Sequence, residues 1–290
     1  MLAVVLLAVP NVSEGRDADL IARLAAGFAP SRLLDVHSDA DHNRSVFTLA
    51  GSQGELARAL AAGARESAES IDTTAGDGLH PCVGALDVAP VVYLTGGDRG
   101  AATAEALTAA ALIGELGIPV FLYGDLATDP SRSERADLRR GGHAELGRRI
   151  AAGELVPDYG PAEIHPTAGA TLVSARPPLI AFNVELDSGD VELARSIAAE
   201  IRESAGGFPG LRAIGLLLAA SGRAQVSMNV HDHAAAPLAE IIGRIAARAP
   251  IAEAELVGLA PAAALAGFPA DIPLRNRRTI EDLLDPPESS

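Results

Sequence analysis

One order of elements occurs twice in this chain, and it limits the fold more than any other feature. In the second half an apolar run at 179–186 (LIAFNVEL) leads to a helical pattern at 189–204. Two strand patterns follow at 212–219 and 224–230, parted by Ser221-Gly222, then a helix at 235–248 and a strand at 254–258. This β-α-β-β-α-β order is that of the ferredoxin-like split motif. The first half opens in the same way, with strand 2–9, helix 17–28, strands 32–37 and 45–50, helix 53–70 and strand 86–94. A helix at 101–116, a strand at 118–123 and a helix at 133–152 are additions. The expected fold class is therefore α+β: two ferredoxin-like (βαββαβ) subdomains, the first with extra elements. Arg176-Pro177-Pro178 sets the boundary, giving residues 1–177 and 178–290, because neither proline can donate a ladder hydrogen bond. Within helix 53–70, Leu56, Ala59, Leu60 and Ala64 share one face, interrupted by Gly63. Asp17 and Ser52 are the expected caps of the first two helices.

Composition removes several function classes. The 23 basic residues are all arginine, which excludes a Schiff-base lysine and a Walker A lysine. A formal charge of −15, with no basic cluster interleaved with aromatics, argues against nucleic acid as a partner. Met1–Pro10 (MLAVVLLAVP) lacks a basic start and a small-residue cleavage site, so it reads as a buried first strand rather than a signal. No stretch is apolar enough over about 18 residues to span a membrane. Cys82 is the single cysteine, which excludes a disulfide framework and fits a cytoplasmic location.

Four polar or glycine-rich stretches are left over once helices and strands are assigned. Val9-Pro-Asn-Val-Ser-Glu-Gly15 follows the first strand and reads as a turn, with Ser13 as a cap if the next helix starts early. The stretch from Leu34 to Ser45 crowds Asp35, His37, Asp39, Asp41, His42, Asn43 and Arg44 between two strands. Its histidine spacing matches no helical metal pair and no EF-hand loop, so a hydrogen-bonded turn is expected and no metal is predicted. Arg44 has the geometry to grip a carboxylate, either Asp39 or one on a substrate. The stretch from Thr73 to Asp87 carries His80-Pro81; a residue before proline is biased toward extended backbone, so the imidazole is expected to be presented outward. In isolation it is a solvated histidine or a general base, and a Cys82–His80 nucleophilic pair is the less favoured alternative. The stretch from Asp158 to Thr171 is irregular and is either a linker or a ligand-lining loop. Late in the chain, His231-Asp-His233 precedes a helix and reads as a cap through Asp232.

Taken in order, these segments resemble the formiminotransferase domain of the formiminotransferase-cyclodeaminase family. The resemblance runs through Val9-Pro-Asn-Val-Ser-Glu-Gly15, Asp41-His-Asn-Arg-Ser-Val-Phe-Thr48, His80-Pro81 with Gly84-Ala-Leu-Asp-Val88, Pro157-Asp-Tyr-Gly-Pro161, Gly169-Ala-Thr171, Ala181-Phe-Asn183, Ala224-Gln-Val-Ser-Met-Asn229 and Leu256-Val-Gly-Leu259. It covers about residues 4 to 265. It implies transfer of the formimino group between N-formimino-L-glutamate and N5 of tetrahydrofolate, a step of histidine degradation and one-carbon metabolism. Tetrahydrofolate is then a co-substrate, the partners are small molecules, and a homodimer is implied. The resemblance also implies paired ferredoxin-like subdomains with a folate-binding cleft.

Carried over residue by residue, it makes His80 the catalytic base. It places substrate and folate contacts at Asn11, Asp39, Asn43 and Arg44. The folate loop falls on Gly160, Pro161, Ala162, Glu163, Ile164, His165, Pro166, Thr167, Ala168 and Gly169. The chain departs from the family pattern at Gly76, Leu79 and Cys82, where a histidine, a glutamate and an arginine are usual, and at Ala168, often an aromatic. Those departures keep two alternatives open: a 5-formyltetrahydrofolate–glutamate formyltransferase, and a non-catalytic folate-binding paralogue.

Overall fold

The computed structural model describes residues 4–40, 42–75 and 82–285. His80, Gly76, Leu79 and Asp41 lie outside the described residues. The protein is a mixed α+β chain that divides into two compact units, Met1–Pro177 and Pro178–Ser290.

The first unit is built from β1 (Leu6–Ala8), β2 (Asn11–Val12), α1 (Ala18–Gly27), β3 (Arg32–Asp39), β4 (Arg44–Gly51), α2 (Glu55–Ser70), β5 (Leu86–Val92), α3 (Arg99–Glu115), β6 (Val120–Leu122), α4 (Arg135–Arg139), α5 (Gly142–Ala151) and β7 (Thr171–Arg176). β1 and β2 both lie between β4 and β5, antiparallel to each. Pro10, which has no N–H to donate, falls where the pairing breaks between them. β3 pairs β4 at the edge, while β5 and β6 both run parallel to β7. Across the sheet the order is therefore β3, β4, β1/β2, β5, β7, β6.

Side chains alternate between the two faces of this sheet. Val120, Leu122 and Val173 share one core with α1, α2 and α3. Phe121 and Leu172 point the other way and share a second core with Leu138 of α4 and Leu146 and Ile150 of α5. The Gly63 interruption in α2 has a packing reason: a Cβ there would come within 2.0 Å of the Phe28 ring. Phe28 in turn packs on Phe47, with ring centroids 5.1 Å apart.

The second unit comprises β8 (Ile180–Leu186), α6 (Val191–Ile201), β9 (Leu211–Leu217), β10 (Ala224–Val230), α7 (Leu238–Ala246), β11 (Ile251–Val257), β12 (Leu274–Arg275) and α8 (Ile280–Leu284). Its sheet order is β12, β11, β8, β10, β9, antiparallel except for the short β11–β12 pair. Ile180, Phe182, Val184 and Leu186 of β8 face α6 and α7 and form the core.

Asp17 caps α1 as expected, accepting from the N–H groups of Asp19 and Leu20. Ser52 does not cap α2, which begins after Gly54 in a left-handed conformation. The Glu55 carboxylate instead accepts from the Ser52 N–H and hydroxyl, each at 3.0 Å. The buried Glu105 of α3 takes the N–H groups of Gly54 and Ala57, both at 2.6 Å, and so supplies the cap. The expected helix at 133–152 is two helices, α4 and α5, separated where Gly141 adopts a φ of 75°. Asp232 does not cap α7, which starts after Pro237; it holds the N–H groups of Ala234 and Ala235 in the turn before it. No helix among the described residues is long and apolar enough to cross a membrane.

Candidate active site

Residues 160–169 form a loop closed on itself. His165 and Gly169 exchange backbone hydrogen bonds of 3.2 and 3.1 Å. The His165 Nδ1 accepts from the Ala168 N–H at 2.9 Å, which puts the proton of a neutral ring on Nε2. The loop is anchored at its start by Asp158. That carboxylate accepts from the Leu122 N–H at 2.8 Å and pairs with Arg132 at 2.9 Å.

Both chain segments that flank residues 76–81 are tied to this loop. Before them, Thr73 donates its N–H and its hydroxyl to the Thr167 carbonyl, at 2.9 and 2.6 Å. After them, the Ala85 N–H reaches the Ala168 carbonyl and the Ala170 N–H reaches the Val83 carbonyl, at 2.9 and 2.8 Å. The fit admits no side chain: a Cβ on Gly84 would sit 1.9 Å from the Ala170 oxygen, and one on Gly169, whose φ is 70°, would sit 2.0 Å from the Val83 oxygen. Because the Thr73 hydroxyl donates to Thr167, the His143 Nδ1–H donates to it in turn, at 2.6 Å. Burial pushes the His143 pKa down; Asp72 opposes this and His165 adds to it.

Within the loop, Ala168 is buried in the core and Ile164 packs beside α5, whereas Gly160, Ala162, Glu163 and Pro166 are exposed. Pro161, His165 and Thr167 are partly exposed.

The other expected site residues gather near the β3–β4 turn. Asn11 donates to the Val9 carbonyl at 3.0 Å and so holds the bend after β1. Asn43, at a φ of 47°, accepts from the Gly15 N–H at 3.0 Å. Asp39 accepts from both the backbone and the imidazole of His42, at 3.0 and 2.7 Å. Arg44 forms an ion pair with Asp87, at 3.2 Å. Ser13 is not a helix cap; its hydroxyl donates to the Gly84 carbonyl at 2.8 Å and pins the 9–15 turn to the same segment.

Asp87 is the residue that sequence reasoning missed. It is 1% exposed, accepts from the Val83 N–H at 2.9 Å, and is also paired with Arg139 of α4. Burial alone would raise its carboxyl pKa, but Arg139, Arg44 and the Val83 N–H overcome that and hold it below the usual carboxylate range. Arg44 is pushed down to about 9, first by burial and then by repulsion from Arg139, against the pull of Asp87. Burial also raises the Cys82 thiol, which disfavours the thiolate a nucleophile needs.

Arg44 and Asp87 lie 43 residues apart, and Asp87 and Arg139 lie 52 apart, so only the fold brings them together. The site can thus present fixed cations to an anionic substrate beside a loop of backbone donors and acceptors.

The comparisons with known proteins match this chain to two family models, "Formiminotransferase domain, N-terminal subdomain" over residues 5–176 and "Formiminotransferase domain" over residues 181–271. The glutamate formimidoyltransferase of Streptococcus pyogenes serotype M1 is 39% identical over 270 residues, covering 89% of each chain. That of Thermoplasma acidophilum is 36% identical over 268 residues, covering 89% of this chain and 88% of the relative. The formimidoyltransferase-cyclodeaminase of Gallus gallus is 35% identical over 276 residues, and the match spans 89% of this chain but 50% of that protein.

Proposed function

The chain belongs to the formiminotransferase family, and from that premise we propose that it is a transferase moving the formimino group between N-formimino-L-glutamate and N5 of tetrahydrofolate. The observation that carries this reading is collinear similarity to two glutamate formimidoyltransferases over 89% of the chain. Tetrahydrofolate is the co-substrate, and the reaction belongs to histidine degradation. In this reading the enzyme works in the cytoplasm on small molecules, as a homodimer.

The chemistry assigns the roles. N5 of the reduced folate attacks the amidine carbon and gives a tetrahedral intermediate, which makes the N5 proton acidic. His80 takes that proton and returns it to the glutamate nitrogen, so the carbon–nitrogen bond to glutamate breaks and L-glutamate leaves. An imidazole with an ordinary pKa of about 6.5 suits both transfers near neutrality. Such acid–base help is worth roughly 10²–10⁴-fold, and holding two substrates in register contributes further. The 160–169 loop supports this placement, since it is bonded to Thr73 on one side of His80 and to Ala85 on the other, with Ala170 just after it bonded to Val83. Asn11, Asp39, Asn43 and Arg44 contribute the substrate-facing turn, with Arg44 the cation for a glutamyl carboxylate.

The test is incubation of the purified protein with N-formimino-L-glutamate and tetrahydrofolate, following the product's absorbance. Turnover is expected with this donor. Turnover only when 5-formyltetrahydrofolate is supplied with glutamate would replace the proposed reaction by formyl transfer.

A further inference from the structure

A row of cationic groups continues from Asp87 across the same side of the first unit, and the functional reading above leaves most of it unused. Arg139 and Arg135 stand four residues apart on α4 and so project from one side of it. Arg135 interacts with Tyr123, which follows β6, and Tyr123 also interacts with Arg176, the last residue of β7. These two parallel strands are neighbours, and both residues lie at their carboxyl ends, the edge where open α/β sheets bind ligands.

Two polar atoms in this row are buried without a hydrogen bond of standard geometry among the described residues. The Nε of Arg139 has no hydrogen-bond partner, although the side chain is only 6% exposed. The Tyr123 hydroxyl is likewise buried; it interacts with both Arg135 and Arg176, but with no hydrogen bond of standard geometry to either, and both guanidinium groups can only donate to it, so its own O–H is left to give. Buried polar groups are nearly always paired, so two under-bonded ones that flank the same Arg135 mark where a ligand can complete the bonding. The carboxylate that acts on Arg135 is Asp87, and it already serves Arg44 and Arg139. Burial lowers the pKa of Arg135 and of Arg176, with repulsion from Arg139 and from Arg135 respectively adding to it and Tyr123 opposing it in both, so an added anion would relieve both. Planar guanidinium forks match carboxylate oxygens two by two, and a phenol hydroxyl supplies a further donor.

We propose that Arg139, Arg135, Tyr123 and Arg176 form a subsite for the carboxylates of a glutamyl group, carried either by the amino-acid donor or by the folate tail. Its link to those two substrates rests on the transfer reading above; the anion site itself rests on the geometry.

Calorimetric titration with L-glutamate and with glutarate, on wild type and on Arg135→Gln, Arg176→Gln and Tyr123→Phe, tests it alongside KM for both substrates. Losing a hydrogen bond to a charged group should weaken dicarboxylate binding or raise KM by about tenfold or more in the arginine variants. Tyr123→Phe removes a hydroxyl that makes no hydrogen bond of standard geometry, so it should keep the wild-type melting temperature and still lose affinity, which separates a binding role from a structural one. A rise in KM for the formimino donor alone assigns the subsite to that substrate; a rise for tetrahydrofolate alone assigns it to the folate tail. Variants with unchanged binding and unchanged KM values overturn the subsite while leaving the transfer reading intact. Wild type that binds dicarboxylate through Arg135 but turns nothing over retains the subsite and rejects the transfer reading.

Discussion

A carboxylate between two guanidinium groups, as Asp87 is between Arg44 and Arg139, neutralises charges that would otherwise repel at close range. Asp87→Asn should destabilise the protein by about 3–5 kcal/mol, as removal of one partner from a buried ion pair does. Urea unfolding measures this, and a loss within experimental error would show the pair to be dispensable. His143 gives a second test at this scale, through pH. Its folded-state pKa lies below the ordinary value of about 6.5. As pH falls, the unfolded chain therefore binds the proton first, so the stabilisation is complete above about pH 6.5 and declines below it. The stability gap between wild type and His143→Gln should narrow between about pH 8 and pH 5; a constant gap contradicts the assignment. Of these residues only Arg44 stood out in the sequence. Asp87 sits inside an apolar run and Arg139 inside a helix rich in charge, so neither declares a site until the fold joins them.

Helices and strands with a full apolar face were readable from their period, as β4, α2, α6 and β10 show. The parallel strand β7 was missed because TLVSAR begins inside the Gly- and Pro-rich stretch read as irregular up to Thr171. The break between α4 and α5 was hidden because Gly141-Gly142 sits within an otherwise helical pattern. The start of α2 was misread for another reason: its cap comes from Glu105, 48 residues beyond Ala57, and no local motif reveals it. Glu105→Ala leaves the Gly54 and Ala57 N–H groups without an acceptor, and should lower unfolding free energy by about 1–3 kcal/mol. Chemical denaturation checks it, and unchanged stability would mean that water replaces the carboxylate.

For the molecule as a whole, charge and chemistry pull in opposite directions. A chain of formal charge −15 is expected to bind substrates that themselves carry carboxylates, so its cations must be concentrated rather than spread. The row from Arg44 to Arg176 does this within the first unit, while the exposed arginines of α5 and α6, such as Arg148 and Arg195, are engaged in local ion pairs. In the proposed mechanism, the departures at Gly76, Leu79 and Cys82 take a histidine, a glutamate and an arginine from the segment around His80 and assign more of the proton transfer to that one imidazole. The most direct measurement is steady-state turnover of N-formimino-L-glutamate with tetrahydrofolate by wild type and His80→Ala. Turnover is predicted to fall by about two to four orders of magnitude in the variant, with its unfolding curve unchanged; a variant as fast as wild type would contradict the account.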